Sequence, residues 1–357
     1  MIVGIVAASN IRYSPYIYYY TSILDELGIN YELIYANQKN LEDEFNHNNY
    51  SIEWNAECPR ALEYFNYSRK VISIIKKRQY DGLIMLTAIT ATYCSNFLKK
   101  YYSKKYIVDI RDYTHENIWL YNILEKKAIF NSSMTVISSP MFCKFLPEFN
   151  YKICHNINFE VDSQKTWRKP KKDRIIIGYV GSLAYKENCV SLIKLVNEDE
   201  RFEFRIYGSE PGEHTVETLV KSLNNNRITY YGPYRPNEKE AIIESVDILF
   251  NTYGNGCPLL DTALSNKLYD ALYYKKLLLT SPKTAMEEMG GEIAFSLNYN
   301  SVASLDDLYE WVIRKKNIEV QQYQDKMFIK FYEENEETKK CVSNEILRWN
   351  QLGEYRK

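Results

Sequence analysis

The sequence predicts an α/β chain built as two Rossmann-like, doubly wound domains. Three observations carry that expectation. Short apolar runs with a β-branched bias alternate with amphipathic helical patterns in both halves of the chain. In the second half each run ends in a small or glycine-bearing turn, as happens where a parallel strand hands over to a helix. A polar stretch with one proline, 161–173, divides the alternation, and 357 residues suffice for two domains of ordinary size.

In the first domain, 1–160, Ile2–Ala7 is a buried strand and Tyr16–Leu27 an amphipathic helix closed by Gly28. Tyr31–Tyr35 is the next strand, completing a βαβ opening. The first turn lacks G-x-G-x-x-G, which argues against a dinucleotide oxidoreductase. Residues 36–66 are polar and weakly periodic. They read as a long loop with a short helix, over the mouth of a cleft or on the outer surface. Regularity returns with a basic helix over Ser68–Arg78, a strand at Gly82–Met85, a helix at Thr92–Tyr101 and a strand at Tyr106–Asp109. A helix near Asn122–Phe130 and a strand at Thr135–Ile137 follow, with Ser138-Ser139-Pro140 as cap and first turn of another helix. Lys152–Cys154 is a last short extended piece.

The strand ending at Asp109 runs into Arg111, Asp112, His115 and Glu116, five ionisable groups within eight residues. Ligands of open α/β sheets bind at the carboxyl ends of strands. Asp112 or His115 would orient or deprotonate a hydroxyl, and Arg111 would hold a carboxylate or phosphate. The alternative is an internal salt-bridge network that fixes the loop.

In the second domain, 174–320, Arg174–Val180 is a strand that turns through Gly181-Ser182 and Lys186 into a helix reaching Val196. Phe202–Tyr207, Ile228–Tyr231 and residues 247–250 are further strands. Helices over His214–Leu223 and Pro236–Ser245 lie between them. The stretch from Ala263 to Leu272 then stands out. Ser265 is a good N-cap, and the helix it opens points free N–H groups and a partial positive charge outward. Lys267 adds a full charge in the first turn, and Asp270, three residues on, shares its face. A cation for phosphate beside a carboxylate for ribose hydroxyls suits a nucleotide-sugar; an ordinary surface Lys–Asp pair is the plainer alternative. Leu277–Leu279 is a strand, Ala303–Arg314 a helix, and 321–357 a helical tail with apolar points at Phe328, Phe331, Tyr332, Ile346 and Trp349.

Composition bounds the function. The chain is 45% hydrophobic and 25% charged, as globular proteins are, and its net charge of −1 offers no general field for nucleic acid. Seven scattered cysteines without a C-x-x-C pair indicate reduced thiols rather than disulfides or zinc. The amino end has no basic leader, and no apolar run approaches the ~18 residues of a membrane span. A cytoplasmic protein is expected, possessing at most peripheral contact with the inner face of a membrane. Such contact would use Arg69, Lys70, Lys76–Arg78, Lys99, Lys100, Lys104 and Lys105, which interleave with Tyr101, Tyr102 and Tyr106. Solvated helix faces are the alternative.

The order of turns in the second half resembles the C-terminal domain of GT-B glycosyltransferases, above all the family 4 type that builds bacterial capsular and exopolysaccharides. The run is Gly181-Ser182 with Lys186, then Gly208, then Gly232-Pro233-Tyr234, then Asp247–Asn251, then Asn266–Asp270. In the first half Asp109–Asp112 and Ser138–Pro140 resemble counterparts in such enzymes. The resemblance implies two domains facing a cleft and a tail, 321–357, that returns to the first. It implies Gly181, Ser182, Lys186, Ser265, Asn266, Lys267 and Leu268 at the donor diphosphate, Gly208, Gly232 and Tyr234 at the base, and Asp270 at the ribose. The activity implied is a hexosyltransferase moving a sugar from a UDP-linked donor to a saccharide on a lipid carrier. It would be retaining and would use no metal or cofactor. The chain departs from the pattern at Ser182, where many relatives carry arginine, and at Thr262, eight residues before Asp270, where the paired-glutamate signature has its first acid. A glycine pair is also missing around Ala8–Asn10. A sugar-nucleotide epimerase of the same fold and an inactive glycosyltransferase-like partner protein remain as alternatives.

Overall fold

The computed structural model describes residues 1–39, 48–157, 165–170, 174–254 and 256–354, the last five by backbone alone. The chain divides into two compact units, Met1–His155 with Glu333–Lys357, and Asn156–Tyr332.

The first unit contains β1 (Ile2–Ala7), α1 (Ile17–Glu26), β2 (Asn30–Asn37), β3 (Asn49–Glu53), α2 (Arg60–Arg78), β4 (Gly82–Leu86), α3 (Ala88–Tyr101), β5 (Tyr106–Ile110), α4 (Trp119–Asn131), β6 (Met134–Ile137) and β7 (Tyr151–Ile153). Its seven strands are all parallel, in the order β3-β2-β1-β4-β5-β6-β7. Such a sheet is buried on both faces, so its strands read as continuous apolar runs. Alternate residues of β1 enter different cores: Val3, Ile5 and Ala7 on one side, Val6 on the other.

The second unit contains β8 (Ile175–Val180), α5 (Glu187–Asn197), β9 (Phe202–Tyr207), α6 (Thr215–Leu223), β10 (Ile228–Gly232), α7 (Lys239–Glu244), β11 (Ile248–Phe250), α8 (Pro258–Thr262), α9 (Asn266–Tyr273), β12 (Leu277–Thr280), α10 (Ala285–Gly290), β13 (Ala294–Ser296), α11 (Ala303–Arg314) and the first part of α12 (Asn317–Glu354). Its six parallel strands run β10-β9-β8-β11-β12-β13. Strand order reverses between β8 and β11, the kind of switch point at which doubly wound sheets bind ligands. Both units are Rossmann-like, as the alternation predicts.

The 38-residue α12 serves both units. Tyr269 meets Phe331 edge-on in the second. In the first, Val342, Ile346 and Trp349 are fully buried with α1 and the sheet. The Trp349 ring lies directly on the start of β4, where a Cβ at Gly82 would sit 2.0 Å from it. Nearer the crossing, the His155 amide donates to Asn335 at 2.6 Å, Asn335 donates back to the His155 carbonyl at 2.9 Å, and Thr338 bonds the Ile153 carbonyl at 2.6 Å. Among the described residues no helix is long and apolar enough to cross a membrane.

Several local expectations change. The loop expected over 36–66 holds β3 and the first turns of α2; residues 40–47 lie outside the described residues. β3 buries only Ile52, so it carries almost no apolar signal. α2 starts at Arg60 because Tyr64 and Tyr67 continue the buried stripe of Val71 and Ile75 toward its amino end. After Ser139 the chain makes only a short 3-10 turn, Pro140–Lys144, capped by the Ser139 hydroxyl. Part of the stretch expected as a linker, 161–164 and 171–173, is also outside the described residues. Trp167 within it is 3% exposed and belongs to the second core.

The Trp349 contact makes a double-mutant prediction. Trp349→Ala should cost about 3–5 kcal/mol in urea unfolding. Gly82→Ala should destabilise the parent chain and add little in the Trp349→Ala background, where the ring no longer opposes the new methyl.

Candidate functional site

Three strand ends and one helix of the second unit border a recess of about 390 Å³. Tyr179–Ser182 comes from the end of β8, Tyr234 from the turn after β10, Thr252 and Tyr253 from the end of β11, and Ser265–Lys267 from the start of α9. Glycine makes the closest approach possible. Gly181 and Gly208 have φ near +140°, and a Cβ at Gly208 would fall 1.7 Å from the Gly181 carbonyl oxygen. The turns are chained by their backbones: Gly181 N–H donates to Tyr207 O at 2.9 Å, and Gly208 N–H to Gly232 O at 2.7 Å. Opposite them, the Asn188 amide, from the first turn of α5, donates to the carbonyls of Thr252 and Gly254 at 3.0 and 2.8 Å and fixes that loop.

Ser265 caps α9 as predicted, its hydroxyl accepting the Lys267 amide at 3.4 Å. Lys267 is 9% exposed, and its ammonium lies 4.3 Å from the Tyr179 ring centre. Among the described residues no carboxylate is within ion-pair distance of it. Burial pulls its pKa down to about 8, Asp270 opposing the shift and Lys239 adding to it. Asp270 is 4% exposed and takes a different partner, the Lys239 ammonium at 2.8 Å. Burial raises the Asp270 carboxyl, and Lys239 then Lys267 restrain that rise. The recess is therefore lined by two ammonium groups and one carboxylate, with the buried cation unpaired. An anion is what such a cation lacks.

The residues predicted for a donor separate into two sets. Gly181, Ser182, Tyr234, Ser265, Asn266, Lys267 and Asp270 line the recess. Lys186 does not: its ammonium bonds the Glu213 carbonyl and pairs with Glu210 at 3.2 Å. Gly208 and Gly232 shape the backbone behind the recess, and Leu268 is a core side chain. Thr262 is buried and its hydroxyl bonds the Pro258 carbonyl at 2.6 Å. Lys239, Tyr179, Tyr185 and Tyr253 are lining residues that the sequence reading missed. Lys239 opens a short helix 31 residues before its partner, a distance over which spacing carries no signal.

In the first unit the 109–116 segment leaves β5 as predicted, and its charges divide. Arg111 is spent inside: it pairs with the buried Asp109 at 2.5 Å, donates to the Cys154 carbonyl at 3.1 Å and lies over Tyr16. Tyr20 donates to the same carboxylate at 2.6 Å. Asp112 and His115 reach solvent. The protein around Asp112 still raises its carboxyl to about 6, Arg111 opposing and Glu116 adding. His115 packs edge-on against Tyr121. Beneath, burial and the neighbouring Glu116 raise the pKa of Glu125. Wider recesses exist in this unit, one of about 580 Å³ around Trp54 and Arg69 and one of about 590 Å³ around Asp25 and Arg78. The first holds the buried Glu63, whose carboxylate accepts the Asn55 amide at 3.1 Å, and in the second Arg78 is paired with Glu32; neither presents a buried lysine.

No protein-family profile and no curated protein matches the chain. Solved structures do. A lipopolysaccharide outer core galactosyltransferase, WaaB, in its apo form has a TM-score of 0.67 at 14% identity, covering 98% of this chain and 99% of that one. Anabaena Alr3699/HepE in complex with UDP and glucose has a TM-score of 0.66 at 12% identity, covering 96% and 100%. The α,α-trehalose 6-phosphate synthase of Burkholderia multivorans has a TM-score of 0.69 at 10% identity, covering 98% and 99%. At such identities the likeness shows the fold, GT-B, with its two Rossmann-like domains.

Lys267 also makes a stability prediction. Its folded pKa of about 8 lies below the ordinary 10.5, so below pH 8 the folded state bears the full cost of burying the charge. That cost fades as pH rises from the folded value toward the unfolded one. Lys267→Met should therefore stabilise the chain at neutral pH, by about 1–3 kcal/mol. Urea unfolding across pH should show the gain disappearing above about pH 10.

Proposed function

We propose that the protein is a glycosyltransferase that moves a hexose from a nucleotide-sugar, UDP-linked, to a saccharide acceptor on a lipid carrier in bacterial surface polysaccharide synthesis. The observation that carries the donor half is the unpaired, buried Lys267 at the amino end of α9. In this reading the donor diphosphate replaces the missing counter-ion. The ammonium and the α9 amino end stabilise the charge that develops on the leaving UDP, a preorganised arrangement that uses the chain's own groups and needs no metal. Asp270, steadied by Lys239, accepts from the ribose hydroxyls, and Tyr234 lies toward the base. The UDP and glucose bound by Anabaena HepE support the choice of donor class. The saccharide acceptor belongs to the first unit, where Asp112 orients or deprotonates its hydroxyl. A carboxyl near pKa 6 suits that work at neutral pH. Retention of anomeric configuration and family 4 membership are further parts of the proposal, and rest on the order of turns.

Calorimetry with a panel of nucleoside diphosphates tests the donor half. UDP should bind, and Lys267→Met should weaken it about 10- to 100-fold, the worth of one charge-assisted contact. Absence of binding by every nucleoside diphosphate would remove the reading. For the chemistry, Asp112→Asn should lower turnover at least about 100-fold while leaving the UDP affinity unchanged. Turnover of the parent chain should fall as pH drops below about 6, where Asp112 takes up its proton. Interconversion of the donor sugar without any acceptor would identify an epimerase instead. UDP binding with no transfer to any acceptor would identify an inactive partner protein.

A further inference from the structure

Helices α2, α3 and α4 of the first unit lie side by side over one core. They follow β3, β4 and β5 of a parallel sheet and so run in the same direction. Their charges are one-sided. α2 carries six Lys and Arg, α3 two and α4 two, whereas the only carboxylates in the three helices, Glu63 and Glu125, are buried. Of the ten cations, Arg78 is paired with Glu32. The whole chain has a net charge of −1, so this face is a local concentration rather than a reflection of composition.

Apolar exposure concentrates on the same layer. Trp119 is 76% exposed, Leu120 57% and Ile118 52%, at the start of α4. Leu62 and Phe65 on α2, Tyr101 on α3, and Ile123 and Phe130 on α4 are exposed as well. Helical spacing aligns the two kinds of side chain. Leu62, Phe65, Arg69 and Lys76 share one side of α2; Trp119, Ile123, Lys127 and Phe130 share one side of α4. Between the last turns of α2 and α3 a recess of about 410 Å³ is lined by Lys76, Phe97, Tyr101 and Lys105, with the Lys76 ammonium 5.9 Å from the Phe97 ring centre.

A nucleic acid would use the lysines and leave Ile118, Trp119 and Leu120 in water. A lipid interface uses both. An indole prefers headgroup depth, and lysine stems lie along apolar surface while their charges reach phosphates. We propose that the outer face of α2, α3 and α4 lies flat on an anionic phospholipid bilayer. The segment Ile118-Trp119-Leu120 enters the headgroup region, and the lysines of all three helices meet lipid phosphates. Because α4 follows the loop carrying Asp112, this docking would hold that loop near a lipid-borne acceptor. Docking of this face needs nothing from the donor recess.

Co-sedimentation of the full chain with vesicles tests it. Phosphatidylcholine vesicles with about 30 mol % phosphatidylglycerol should retain the protein at least about tenfold better than pure phosphatidylcholine. A Lys76→Glu, Lys100→Glu, Lys127→Glu variant should lose about tenfold or more of that binding. Trp119→Ser with Leu120→Ser should weaken binding and abolish the blue shift of tryptophan emission on vesicle addition. Circular dichroism and UDP calorimetry on both variants report whether the units remain folded, and keep failure here distinct from failure of the donor reading. No retention on the anionic vesicles, or retention unchanged in both variants, would overturn the proposal. So would tighter binding to single-stranded DNA that is indifferent to the Trp119 and Leu120 changes.

Discussion

One charge organises the second unit. The Lys267 ammonium is buried against Tyr179 with no carboxylate within ion-pair distance among the described residues. A cation in that position is held at a cost, and the sequence could have relieved it cheaply. Asp270 lies on the same helix face, yet its carboxylate is bonded to Lys239 instead. The consequence is a recess whose acid is satisfied and whose buried base is not. Stability alone would favour a neutral side chain here, and the proposed donor site is what would offset that cost.

The surrounding fold keeps that place open. Gly181 and Gly208 let the ends of β8 and β9 abut so closely that any side chain at Gly208 would collide with a backbone carbonyl. Asn188 holds the loop after β11 through its carbonyls, and Ser265 sets the start of α9. These contacts are among turns at the carboxyl side of one parallel sheet, beside the point where its strand order reverses. The first unit treats its own charged loop differently. Arg111 closes an internal network with Asp109, Tyr20 and the Cys154 carbonyl, so only Asp112 and His115 reach solvent.

Much of this was legible in the sequence, for physical reasons. Parallel strands buried on both faces are continuous apolar runs, and β1, β4, β8 and β12 read plainly. A serine before an amphipathic run identified α9 and put Lys267 and Asp270 on it. What failed to read was either polar or remote. β3 is an edge strand with one buried side chain, and the first turns of α2 bury tyrosines, which in a chain with 33 of them look like composition rather than pattern. The pairing of Lys186 with Glu210, and of Asp270 with Lys239, joins residues far apart in sequence, so neither the loss of one expected ligand nor the gain of another could be foreseen from spacing. Trp167, alone in a polar stretch, gave no period and is nonetheless core.

Lys267 is a buried cation without a carboxylate partner among the described residues, and the proposed donor would supply one in its diphosphate. The most direct measurement is its own titration, followed by NMR through a carbon label at the lysine ε position, with and without UDP. In the free protein the ammonium should titrate near 8, and saturating UDP should move it upward toward the ordinary lysine value or beyond. A free-state titration already at the ordinary value of 10.5, unmoved by UDP, would rule out a strained cation that binds the diphosphate.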